Sequence, residues 1–417
     1  MRGWLEPFAQ PPTRFGQFVA DLSPTALVNA LIGFVFAATG PVILTVGGAA
    51  GLDEATLASW VFGAFFVNGF LSITACWLYR LPLVFFWTIP GTVLVGPALD
   101  HLTFAQVIGA FLGTGVLMMA LGMLGWVRKA MQAIPMPIVM AMVAGVFLKF
   151  GVDWINAVHQ DLLLAGPMTA VFLLLAAVPA LGRRMPPLIG ALLVGVALVV
   201  LTGRIDLGAA PATGWITVPD LIAPEFSWQA MLELVVPLAI TVLVVQNGQG
   251  IAVLHQAGHA QPPINAITFA CGLWSLLVAA VGTVSTCLTG PTNALISSSG
   301  PRHAHYAAGI VVGLLAVSFG LFAPAFTRFL LACPPAFIAT LAGLAMLRVL
   351  QASFTQSFGG KFQLGALISF LTTVSGITIL SVGAPFWGLV FGGLMSWLLE
   401  RDDYHRSEPA GQTASSR

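Results

Sequence analysis

Apolar stretches of about 20 residues recur along the whole chain, separated by short segments rich in Gly, Pro and charged residues. A helix needs roughly 20 residues to cross a hydrocarbon layer of about 30 Å, so each stretch is long enough, or nearly so, to span a membrane. With 58 % hydrophobic and 7 % charged residues and a mean hydropathy of +0.95, the surface of this chain must be covered by hydrocarbon. The sequence reads as an all-α polytopic membrane protein in contact with membrane lipid. A net charge of +1 offers no basic stripe for phosphates, which excludes nucleic acid as a partner. Cys76, Cys271, Cys287 and Cys333 stand singly inside apolar segments and read as small buried hydrophobes, with no metal or disulfide role expected. The N-terminal run "MRGWLEPFAQPPTRFGQ" has no signal-peptide pattern, so the first apolar segment is expected to be kept.

Hydropathy places spans at 25–47, 57–79, 83–99, 104–127, 133–152, 164–182, 186–203, 228–254, 263–283, 285–300, 304–325, 328–347, 362–380 and 384–399. These are spans 1 to 14 below. With the N-terminus cytoplasmic, Arg2, Arg14, Arg80, Arg128, Lys129, Arg183, Arg184, Arg302, Arg348, Lys361, Arg401, Arg406 and Arg417 fall inside and only Lys149, Arg204 and Arg328 outside. That bias favours both termini in the cytoplasm. The polar connection 204–227 then lies outside, between a first repeat over 1–203 and a second over 228–399, with a tail over 400–417; Pro224 to Trp228 is a possible start for a surface helix.

Seven spans per half make the second half enter from the opposite side, the arrangement of an inverted repeat. Span 3 contains Thr88-Ile89-Pro90-Gly91-Thr92 and span 10 contains Thr289-Gly290-Pro291-Thr292-Asn293, both T-x-P-x-T/N in the third place of their half. Proline favours the first turn of a helix, so "FFW" and "STCL" upstream are expected to be extended, with half-helices beginning at Pro90 and Pro291. Free N–H donors then follow at Gly91, Thr92, Thr292 and Asn293, an anion site made without Lys or Arg. Irregular backbone at membrane depth is tolerated where it lines a cavity or is buried in protein; a packing kink of small residues is the alternative. Span 1, with Thr39, Gly40 and Pro41, and span 8, with Gln246, Asn247, Gly248, Gln249 and Gly250, are expected to line the same cavity, interhelical hydrogen bonding being the alternative for the amides. Phe34, Phe36, Phe85, Phe86 and Trp87 are available as a flat apolar wall.

"TGPVIL", "WTIPGT", "VVQNGQGIAVL" and "TGPTNALISSSG" resemble the benzoate:proton symporter family over essentially the whole chain. The resemblance implies a core domain of spans 1–4 and 8–11 and a gate domain of spans 5–7 and 12–14. It implies proton-coupled uptake of a benzoate-like anion by alternating access. The site it implies comprises Thr39, Gly40, Trp87, Thr88, Gly91, Thr92, Gln246, Asn247, Gln249, Gly290, Thr292 and Asn293, with no catalytic residue, metal or cofactor, and a homodimer stays open. The related nucleobase carriers place a Glu in span 8 and another in span 10; here Gln246 or Asn247 and Pro291 or Thr292 stand there, which favours a carboxylate substrate. Another substrate on the same fold and a passive anion channel remain alternatives, and an enzyme would need paired acids or a nucleophile with its base, which no span supplies. For the proton, Asp53, Glu54, Asp153, Asp161, Glu225 and Glu233 map to span ends or loops, His255 and His259 read as solvated loop residues, and His303 and His305 flank the end of span 10.

Overall fold

The computed structural model describes residues 6, 11–38, 42–127, 134–182, 185–205, 214–298, 300–379 and 383–405. Among the described residues seven helices are long and apolar enough to cross a membrane: Pro24–Ala49, Glu54–Tyr79, Phe104–Leu124, Met136–Gln160, Trp228–Gln256, Arg302–Leu321 and Pro335–Phe358. Six shorter apolar helices, Ile89–Leu99, Leu162–Ala177, Pro187–Leu201, Ile264–Ala279, Gln363–Ser375 and Ala384–Leu399, and the seven-residue helix Gly290–Ile296 complete fourteen segments in the order expected. Span 12 differs from the reading. It runs over Pro335–Phe358, and Ala323–Leu331 forms a separate helix before it, with Arg328 paired to Glu54 at 3.2 Å. The stretch 217–227 is not helical, and the next helix starts at Trp228, where Ser227 caps Ala230 N.

Contacts divide the chain into two compact units, one of Met1–Met131 with Lys149–Leu347 and one of Gln132–Leu148 with Arg348–Arg417. In the second, spans 13 and 14 cross through small residues. A Cβ on Gly392 would lie 2.7 Å from Gly365 O, and Ser369 Oγ donates to Ile138 O at 3.1 Å. Glu400 caps span 13 by accepting from Leu364 N and Gly365 N.

The first unit holds the features that set spans 3 and 10 apart. Phe85–Trp87 is strand β1 and Thr286–Leu288 is strand β2, paired antiparallel with Phe85 opposite Leu288, Phe86 opposite Cys287 and Trp87 opposite Thr286. The ladder extends one bond at each end, from Thr88 N to Ser285 O and from Thr289 N to Val84 O. Each strand turns into a half-helix, at Ile89 and at Gly290, with Pro in the first turn of both. Strand edges inside a membrane protein need partners, and side chains of the neighbouring spans supply them. Ser72 Oγ of span 2 accepts from Phe85 N at 2.8 Å; Ser275 Oγ of span 9 accepts from Thr286 N at 3.0 Å. The two serines do the same work in the two halves, the mark of an internal repeat. Spans 4 and 9 cross where a Cβ on Gly272 would lie 2.8 Å from Gly115 O, so the glycines set the approach.

Three segments in the described residues widen to π-helical geometry: Gly63–Val67 in span 2, and Met231–Val235 and Thr241–Asn247 in span 8. Such turns are rare and concentrate at functional places.

Candidate functional site

Thr88 and Thr289 occupy equivalent positions before the two half-helices but behave differently. Thr88 Oγ1 accepts from Gly91 N at 3.1 Å and so caps its own helix. Thr92 N is already bonded to Thr88 O, so neither donor expected in span 3 is free. Thr289 makes no side-chain cap, and its buried Oγ1 has no hydrogen-bond partner. The N–H of Thr292, equivalent to that of Gly91, is therefore uncapped in a residue only 2 % exposed. The two helix starts also stand four positions apart along the ladder, about 13 Å at ~3.3 Å per residue. One carboxylate group does not bridge that distance, and the open start is the one in span 10.

Span 8 brings two amides to that end. A Cβ on Gly290 would lie 2.5 to 2.6 Å from Cγ, Cδ and Oε1 of Gln249, so the missing side chain at Gly290 is what lets Gln249 pack against the helix start. Gln246, three residues earlier on the same face, is 8 % exposed and its amide forms no hydrogen bond among the described residues. Neither atom of this amide is among the fully buried unpartnered ones, so the group keeps access to water or to a ligand that completes its bonding.

Asn247 and Asn293 have other work. Asn247 Oδ1 accepts from Leu288 N at 2.8 Å and so fixes β2. Asn293 accepts from Val84 N at 3.0 Å and donates to Val84 O at 3.1 Å and Thr289 O at 2.6 Å, which ties span 10 to the residue before β1. The N–H of Asn293 is bonded to Thr289 O. Both side chains are thus engaged in positioning the strands. Thr39 and Gly40 lie outside the described residues. Their span nevertheless reaches the site, since a Cβ on Gly33 would lie 3.4 Å from Thr292 Cγ2.

An aromatic cluster stands beside the ladder. Phe65, in the π-helical turn of span 2, has ring centroids 4.8 Å from Trp87, 5.4 Å from Phe86, 4.7 Å from Phe319 and 6.3 Å from Phe34. Trp87 is 3 % exposed and its Nε1 has no partner. Phe65 and Phe319 were not among the expected wall residues, because nothing in an apolar span marks which phenylalanine faces inward. Phe36, which was, is 42 % exposed, and Phe85 is buried in the ladder. The segments 85–99, 241–254 and 286–296 carry no charged residue, so the site's polarity comes from hydroxyl, amide and backbone groups alone.

A sequence model described as benzoate membrane transport protein matches residues 20–398. The chain belongs to the benzoate membrane transport protein family. Inner membrane protein YdcO of Escherichia coli is 30 % identical over 92 % of this chain and 95 % of its own length. A benzoate membrane transport protein of Acinetobacter baylyi is 29 % identical over 91 % of this chain and 96 % of its own. Among solved structures, the transmembrane domain of a cyanobacterium bicarbonate transporter, BicA, aligns over 92 % of this chain and 99 % of that domain, with a TM-score of 0.59 at 16 % identity. Murine solute carrier 26 family member A9, an anion transporter, aligns over 95 % of this chain and 74 % of its own, with a TM-score of 0.60 at 16 % identity. This family member therefore has the fold of those transporters, two inverted repeats of seven segments.

The histidines differ from the reading. His255 is exposed, but His259 is 7 % exposed, and its Nε2 lies 3.3 Å from Nδ1 of His305. Loop 257–263 carries two prolines and a Gly with φ +84, and Arg302 Nη1 donates to Gly258 O, so the loop folds back onto the start of span 11 and buries His259. Burial first, then the neighbouring His305 and Arg302, lower the His259 imidazole from 6.5 to about 4.

Proposed function

We propose that this member of the family carries benzoate, or a closely related aromatic carboxylate, across a bacterial inner membrane together with a proton. Spans 1–4 and 8–11 are the moving core and spans 5–7 and 12–14 the gate, exposing the site to each side in turn. The observation that carries this reading is the uncapped start of span 10, where the Thr289 hydroxyl and Thr292 N–H lack partners and Gln249 of span 8 packs against Gly290. A buried donor left unpaired costs about 1–3 kcal/mol, and a carboxylate oxygen accepting from it recovers that and more, because bonds to charged groups are about twice as strong. Phe65, Phe34 and Trp87 then supply ring contacts worth about 0.5–1.5 kcal/mol each beyond area burial. Family membership and the name of the Acinetobacter relative support the choice of benzoate.

Proteoliposomes with an acidic exterior are expected to accumulate labelled benzoate, and benzoate is expected to raise the melting temperature of the purified protein. Benzamide keeps the ring and outline but not the charge, and binds on the order of tenfold to a hundredfold more weakly. Uptake of uracil or sulfate with none of benzoate, or equal binding of benzamide and benzoate, overturns the reading.

A further inference from the structure

A proton-coupled carrier needs a group that takes the proton, and the ligand segments contain none. Glu233 is the only acidic side chain buried among the described residues, at 5 % exposure, in the π-helical turn Met231–Val235 of span 8. Its Oε2 lies 2.9 Å from Nε2 of His101, whose side chain is 29 % exposed. His101 ends the span 3 half-helix, its N–H bonded to Ala98 O. The pair thus fastens the half-helix that begins at Thr88 to the span that carries Gln246.

We propose that Glu233 and His101 together hold the coupled proton. The proposal rests on the proton-coupled reading above. Carboxylate with neutral imidazole has net charge −1; one added proton, on either member, makes the pair neutral. An anion and a proton then cross as a neutral load, so the intramembrane charge is the same, −1, in the empty and the loaded carrier, and the proton offsets the charge that the anion brings. His101 is the accessible member and Glu233 the buried one, so the proton enters through the imidazole. Span 4 and residues 89–99, which pack against this turn, carry no charged residue, and Glu233 is the only one in 228–240. The nearby acids Asp100, Glu225 bound to Thr103 and Asp220 bound to Thr56 are exposed, and Arg328 is paired with Glu54. Among the described residues His101 is the base that Glu233 touches.

Thirteen residues separate Glu233 from Gln246, about 20 Å along the helix. Over that distance the direct field of one proton changes affinity only about fourfold at an effective dielectric near 20. Coupling therefore runs through the joint itself: neutralising the pair changes how span 3, which carries Trp87 ahead of its half-helix, is held to span 8, which carries Gln246 and Gln249.

The test combines ligand-free infrared difference spectra on acidification with two transport modes of labelled benzoate in proteoliposomes. Wild type is expected to show a carboxyl or imidazolium signal that Glu233→Gln removes. Glu233→Gln should exchange benzoate at equal pH within about twofold of wild type, while accumulation driven by a proton gradient falls at least tenfold. An unchanged spectrum, wild-type accumulation, or loss of exchange in a variant that melts normally overturns the proposal. If Glu233→Gln does not fold, His101→Gln decides: a shifted pH midpoint of accumulation with exchange retained supports the pair, and an unshifted midpoint refutes it. A wild type that shows the signal but moves no benzoate refutes the substrate reading and leaves the proton site supported.

Discussion

Thr289 and Asn293 sit four residues apart at the start of one short helix, and substituting them separates ligand binding from scaffold. Thr289→Val removes a hydroxyl that has no partner, so the melting temperature without ligand should stay level or rise, while benzoate affinity falls about tenfold or more with the loss of a charged hydrogen bond. Asn293→Leu leaves the buried N–H of Val84 without an acceptor and should lower stability by about 1–3 kcal/mol, read as a drop in melting temperature with or without benzoate. Equal effects of the two substitutions on stability would refute the division of labour. The T-x-P-x-T/N match in the sequence located both half-helix starts to within a residue. Which threonine caps and which stays free was not legible, because capping is decided by a rotamer and by what packs on it: Thr241 Oγ1 stands 3.4 Å from Thr88 Oγ1. Asn247 and Asn293 read as ligand donors for the same reason: an amide at membrane depth announces a hydrogen bond without naming its partner.

The three π-helical turns contain Phe65, Glu233, Gln246 and Asn247. Each widened turn shifts the face on which later residues emerge, so a uniform period of 3.6 could not have placed these side chains. Glu233 does lie near the end of span 8, as hydropathy indicates, and its burial and pairing with His101 are what the sequence did not show. The loop after span 8 misled in a different way, since H-x-x-x-H in a short polar connection reads as solvated unless the fold-back onto span 11 is known. That fold-back makes stability depend on pH. His259 titrates near 4 when folded and near 6.5 when unfolded, so between those values the unfolded chain binds a proton that the folded chain refuses. Stability should be unaffected above about pH 7, fall as pH drops from 6.5 towards 4, and level off below. Melting curves in detergent at pH 7.5 and pH 5 should show a smaller difference for His259→Asn than for wild type; equal differences would mean that the imidazole does not oppose protonation.

The number and order of segments were legible because each crossing must bury its own backbone hydrogen bonds within an apolar window, and hydropathy reads that window directly. Span 12 was displaced because apolar residues continue across a break: Pro334 and Pro335 separate the helix Ala323–Leu331 from the span, which then runs past its apolar window to Phe358. The orientation expected from the Lys/Arg count has still to be tested, and the cations it divides differ in their pairing. Lys149, Arg204 and Arg328, the three cations assigned to the outside, are each paired with an acid, at 3.0 Å to Asp153, 2.6 Å to Asp161 and 3.2 Å to Glu54. Paired cations retain little net charge to hold a segment in the cytoplasm; on the other side Arg80 is paired with Asp21 at 3.8 Å, whereas Arg14, Arg348 and Arg401 have no acid within ion-pair distance among the described residues. The orientation that follows can be tested without first removing the natural thiols, since all four cysteines are free and buried. Trp215 is 80 % exposed in the connection before span 8, and His255 is exposed at the other end of that span. In intact cells a membrane-impermeant maleimide should label Trp215→Cys, and His255→Cys only after the membrane is opened. Labelling of both from outside would remove the inverted orientation of the second repeat, and labelling of His255→Cys alone would reverse the whole chain, placing the Glu233 and His101 pair on the cytoplasmic side, where an inward proton gradient could not load it.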